Sequence, residues 1–136
     1  MSWERNIVLK SPQEIAVMRQ AGRINALALN AVREMIRPGV TTAELDAVAE
    51  EVIRKHGATP TFKGYPGPYP YPATVCASVN EELVHGIPGK RKLQAGDIIS
   101  IDCGSTFEGF VGDAAFTIGV GDISAEARRL IEVTEQ

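Results

Sequence analysis

The chain has 136 residues, 44% of them hydrophobic, and its 14 Lys plus Arg against 17 Asp plus Glu give a net charge of −3. That is enough for one core, and there is no basic excess to attract nucleic acid or an anionic membrane. No apolar run nears the ~20 residues of a membrane span, and Met1–Asn6 lacks the apolar core of a secretory signal, so a cytoplasmic protein is expected.

Helices come first. Ser11-Pro-Gln-Glu14 is a capping box with Pro12 at the first helical position, and the helix it opens carries apolar or small residues at Ile15, Met18, Gly22, Leu29, Val32 and Ile36 before Pro38-Gly39 stops it. A second box, Thr41-Thr-Ala-Glu44, opens a helix whose buried face is read as Leu45, Val48, Ala49, Val52 and Ile53, ending at Gly57. The segment from Phe62 to Pro72 gathers all three tyrosines among prolines and glycines, which suits neither helix nor central strand. It reads either as the wall of a pocket or as a polyproline-type segment packed on its own domain or offered to a partner.

Strands follow: Thr74 to Val79, then Leu83-Val84, then a hairpin around Phe107-Glu-Gly109. His85, followed by Gly-Ile-Pro, is read as projecting from the end of a short strand into a cleft, whereas His56 in the charged tail of the second helix is a solvated C-terminal cation. Cys76 and Cys103 are too few for a disulfide framework and match no zinc spacing, so both read as small buried side chains. Helices then strands make this an α+β domain, with two long amphipathic helices on an antiparallel sheet.

The hairpin carries the strongest chemical signal, because Asp102 and Asp113 sit one on each arm. If Phe107 and Glu108 form the loop, counting back places Asp102 opposite Asp113 on one face, with Cβ atoms ~5 Å apart, which suits carboxylates bridging a pair of cations. Without cations the pairing is destabilised by like charge and lost hydration. The alternatives are that the acids are solvated or cap a helix, or that a three-residue loop puts them on opposite faces.

Together these segments resemble the type I methionine aminopeptidases of the pita-bread metallohydrolase family. The resemblance rests on Glu14 to Arg23, Pro38 to Asp46, Ser78-Val79-Asn80, His85-Gly86-Ile87-Pro88, Ala95-Gly96-Asp97-Ile98-Ile99 and the two-aspartate hairpin. It implies removal of the initiator methionine from nascent peptide N-termini, using two divalent metal ions (Co, Mn, Fe or Zn). Asp102 and Asp113 match metal ligands. His85 matches the histidine that hydrogen-bonds the substrate beside the scissile amide, and Tyr65, Tyr71 and Cys76 match the methionine pocket. Extra residues around 66–69 make Tyr65 and Tyr69 competitors for one wall position.

The family uses five protein ligands, and a histidine and two glutamates come from a second α+β half. Residues 1–136 are therefore read as a single N-terminal half-domain, inactive alone, whose partner is that second half or, failing it, another copy of itself. The Met1-Ser2 start has the small second residue such enzymes accept. Two rival readings are a non-catalytic binding module working through the tyrosine-rich loop and a prolidase-like aminopeptidase.

Overall fold

Both capping boxes close. Ser11 Oγ accepts from Glu14 N at 3.2 Å and the Glu14 carboxylate accepts from Ser11 N at 2.7 Å, opening α1 (Pro12–Met35). Thr41 and Glu44 do the same at 3.2 and 2.7 Å for α2 (Thr42–Lys55). Each box satisfies backbone N–H groups that a helix start otherwise leaves without partners. The structure is a computed structural model describing residues 7–136. The readings made on Met1–Asn6, the small second residue and the missing signal core, lie outside the described residues.

Four antiparallel strands form one sheet: β1 (Thr59–Pro60), β2 (Val75–Val79), β3 (Ile98–Phe107) and β4 (Phe110–Gly119). β4 pairs along the whole of β3, while β1 and β2 follow one another along its other edge. One sheet face receives the helices. Ile24, Ala28, Leu29 and Val32 of α1, with Leu45, Ala49 and Ile53 of α2, close over Val75, Ala77, Val79, Ile99, Ile101 and Cys103. The opposite face carries Cys76, Ser78, Ser100, Asp102 and Asp113, because successive strand residues alternate between faces. A third helix, α3 (Ala125–Glu135), is capped by Ser124 and buries none of its residues. No helix among the described residues is long and apolar enough to cross a membrane.

The α+β class holds, and several details differ from the sequence reading. Ile15 and Met18 were expected on the buried face of α1 but are 47% and 36% exposed. Burial on that helix begins at Ala21, whose carbonyl accepts from Ser105 Oγ at 3.0 Å, so the first turns run past the sheet. Leu83-Val84 is not a strand; both residues are exposed in an irregular connection held by turns, and apolar composition alone misled there. The short edge strand β1 escaped notice because Pro60 argues against strand, yet an edge tolerates proline.

α1 lies close to the sheet at one point. A Cβ built on Gly112 of β4 would come within 2.4 Å of the Gly22 backbone, whereas a Cβ on Gly22 would meet nothing within 4 Å. Gly112→Ala is therefore expected to destabilise the fold by at least the ~1–3 kcal/mol of an overpacked contact. Gly22→Ala should instead stabilise by ~0.5–1 kcal/mol through helix propensity. Thermal unfolding of the two variants beside the parent checks both signs; a Gly112→Ala variant as stable as the parent would contradict the contact, and a destabilised Gly22→Ala would contradict the open space beside that helix position.

Candidate active site

The register of the hairpin sets the site. Its two-residue loop is Glu108-Gly109, both with positive φ (48° and 82°), which is the backbone of a type I′ turn and explains why glycine stands second. Phe107 therefore pairs with Phe110, Asp102 with Ala115, and Asp113 with Gly104. The expectation that Asp102 lies opposite Asp113 is corrected: the loop is one residue later than read, which moves the pairing by two. A shift of two preserves the face. The acids are diagonal neighbours, with Cβ atoms up to ~7–8 Å apart rather than ~5 Å.

Asp102 is an incompletely satisfied acid. Its side chain is half-buried, and its Oδ1 is buried with no hydrogen-bond partner among the described residues. Burial first, then the negative charge of Asp113, pushes its carboxyl above the ordinary aspartate range, while His85 acts in the opposite direction. An orphaned buried acceptor beside a second carboxylate fits a divalent cation. The described residues contain no group of three or more His, Cys, Asp or Glu able to hold a metal ion, so this pair is at most part of a coordination shell.

Around the two acids lies a cavity of about 570 Å³ lined by Phe62, Tyr65, Tyr71, Cys76, His85, Ile87, Asp102 and Asp113. Every residue read as a candidate is there except Tyr69, which is 92% exposed. Hydrogen bonds from Gly64 N to Tyr71 O (2.7 Å) and from Tyr71 N to Tyr65 O (3.1 Å) close the base of the loop and leave Tyr69 in its tip. Cys76 is paired with Asp102 across β2 and β3. Its thiol is pushed up by burial and by the nearby aspartates, which keeps it protonated and unsuited to nucleophilic attack. Cys103, on the helix face, is pushed up to about 12, chiefly by burial. His85 lies on the rim, exposed, in an irregular segment rather than at a strand end as expected.

Sequence reasoning missed Phe62 and Ile87 as cavity residues. Phe62 could have been found from Gly104, a glycine inside a strand, which signals close approach. A Cβ at Gly104 would lie 2.9 Å from the Phe62 ring. Also missed was the anchor of the loop on α2. Asp46 Oδ1 accepts from Thr74 N and Val75 N, both at 2.8 Å, and Glu50 pairs with Lys63 at 2.7 Å and Arg54 at 2.8 Å. These contacts fix both ends of the tyrosine-rich segment. Burial nevertheless raises the Asp46 carboxyl against those two N–H donors.

The profile of metallopeptidase family M24 matches residues 16–136. The chain is 55% identical to the methionine aminopeptidase of Clostridium perfringens over 130 residues, which is 96% of this chain and 51% of that protein. The crystal structure of the methionine aminopeptidase from Rickettsia prowazekii superposes with a TM-score of 0.90 at 33% identity, covering 95% of this chain and 51% of that one. The prolidase from Pyrococcus furiosus superposes less closely, with a TM-score of 0.80 at 25% identity over 93% of this chain and 35% of that one. The chain thus spans about half the length of the curated relatives it matches.

The raised Asp102 carboxyl makes a signed prediction. The folded chain binds that proton more tightly than the unfolded chain, so the stability it contributes is full below the unfolded pKa (~3.9) and is lost as pH rises through the folded value. Asp102→Asn stays neutral throughout. In chelator-treated samples it should therefore be more stable than the parent at neutral pH, by up to ~1 kcal/mol, since the group is partly screened by solvent. The advantage should shrink on acidification toward about pH 4. Calorimetry at both pH values tests this, and a less stable variant at neutral pH would contradict it.

Proposed function

The chain belongs to metallopeptidase family M24, and from that premise we propose that it supplies one side of a methionine aminopeptidase site and acts on the N-termini of nascent peptides. The single observation that carries this reading is the pair Asp102 and Asp113 on one sheet face, with an unpartnered buried oxygen, inside a cavity whose other walls are apolar and aromatic side chains with His85 at the rim. A purely binding role leaves the repulsion between those acids without a use. The higher identity and closer superposition with methionine aminopeptidases than with the prolidase support the methionine-directed branch.

In this reading Asp102 and Asp113 hold two divalent ions, Co, Mn, Fe or Zn, with the remaining ligands coming from the half of the relatives' length that this chain does not span. Divalent ions at such a site supply Lewis-acid polarisation of the scissile carbonyl and activation of water. The chain's own residues do the rest. Phe62, Tyr65, Tyr71, Cys76 and Ile87 offer an unbranched thioether side chain an apolar, polarisable wall, which fits methionine. His85, on the rim beside the carboxylates, donates a hydrogen bond toward the amide being cleaved and toward the charge that develops on it.

In this reading the second half would pack against apolar side chains of β4 and α3 that stand exposed among the described residues. Val111 is 44% exposed, and Leu130 and Val133 on α3 are 60% and 50% exposed. In the absence of that half, such apolar surface favours self-association.

Peptide hydrolysis tests the reading. The chain alone should not release methionine from Met-Ala-Ser, because two carboxylates cannot fix two ions and leave a water position; the chain joined to the remaining half should. In that complete form His85→Ala should lower turnover by roughly 10²–10³-fold with metal content unchanged. Turnover by the isolated chain, or an unaltered His85→Ala, would overturn the assignment. Sedimentation of the chain alone should show dimers or larger species, and a clean monomer would contradict the exposed-face account.

A further inference from the structure

His85 sits in the left-handed region at φ 59°, which residues other than glycine adopt uncommonly, histidine more readily than most. Its surroundings converge on the next residue. Gly86 N–H donates to Ser78 Oγ at 3.1 Å, while Gly86 O accepts from Ala77 N at 2.8 Å and from the Tyr71 hydroxyl at 3.1 Å. A Cβ on Gly86 would lie 2.2 Å from Ala77 O and 2.5 Å from Glu82 Oε2, so the segment is pressed against β2.

Two of the three partners, Ala77 and Ser78, belong to β2 itself, which the sheet fixes. Tyr71 alone comes from the tyrosine-rich loop. Its hydroxyl also reaches Val75 O at 3.0 Å, so one proton is shared between the carbonyl that starts β2 and the carbonyl behind His85. We infer that Tyr71 is a positioning residue whose hydroxyl latches the Gly86 carbonyl and thereby sets the orientation of the His85 imidazole, beyond any role of its ring as a pocket wall. The catalytic consequence rests on the aminopeptidase reading; the latch itself does not.

The test uses an internal reference, since His85 and His56 are the only histidines in the chain. His56 ends α2 with its Nδ1 2.8 Å from Val52 O, on a different element from the latch. In Tyr71→Phe the ring stays and the latch is lost. The imidazole NMR signals of His85 should shift and broaden while those of His56 stay in place, and Ser78→Ala should move His85 in the same way. In the complete enzyme Tyr71→Phe should lower kcat roughly 2- to 10-fold, the population change that one neutral hydrogen bond controls. KM should hold, because the wall remains. Unchanged His85 signals in Tyr71→Phe would overturn the latch, as would equal changes at both histidines, which would mean general loosening. If Tyr71→Phe moves His85 but His85→Ala leaves turnover unaltered, the aminopeptidase reading falls and the latch stands.

Discussion

Two carboxylates on the same face of a β-ribbon repel each other, and the register of that ribbon decides by how much. In this fold the register is set by the Glu108-Gly109 turn, which places Asp102 and Asp113 on a diagonal rather than directly opposite. A diagonal moderates the repulsion and leaves space between the acids for cations. Asp113 has Gly104 across from it, so nothing on β3 crowds its side chain laterally. The cavity, the tyrosine-rich loop and the His85 segment all border this one stretch of β3 and β4.

Rigidity is supplied from behind. Asn25 of α1, buried, donates to the Cys103 carbonyl at 2.8 Å, and Ser105 Oγ donates to Ala21 O at 3.0 Å, so the stretch of β3 that follows Asp102 is tied to the longest helix. The close approach of Gly22 and Gly112 brings the same helix onto β4 next to Asp113. Helix α2 holds the other wall through Asp46 and Glu50. The two aspartates thus stand on strands whose freedom is removed by contacts on the opposite face, which lets the exposed face carry charge without collapsing.

Much of this was legible in the residues, for identifiable reasons. Capping boxes and the Pro38-Gly39 stop are local signals, and they gave both helix starts to the residue. The face shared by the two aspartates survived a misplaced turn because strand periodicity is two, so an error of two in pairing leaves the face intact. What stayed hidden depends on contacts distant in the chain. Leu83-Val84 looks like strand because it is apolar, but the connection meets the outer edge of β2 only at Gly86, through the Ala77 N–H, and leaves Leu83 and Val84 exposed. The choice of Tyr65 over Tyr69 follows from how Tyr71 folds the loop back on itself, and residue types do not report that closure. Ile15 and Met18 fit the helical stripe, yet whether a stripe is covered depends on where the partner sheet begins.

The central claim, that Asp102 and Asp113 hold divalent cations together, is tested most directly by adding Mn²⁺ to the isotope-labelled chain and following paramagnetic broadening of its amide signals. The account predicts that Cys76, Asp102, Asp113 and Ala115 broaden first, and that Asp102→Asn and Asp113→Asn each suppress the effect. Broadening centred instead on the acidic groups of Asp46 and Glu50 or of Glu81 and Glu82, or broadening that survives both substitutions, would contradict it.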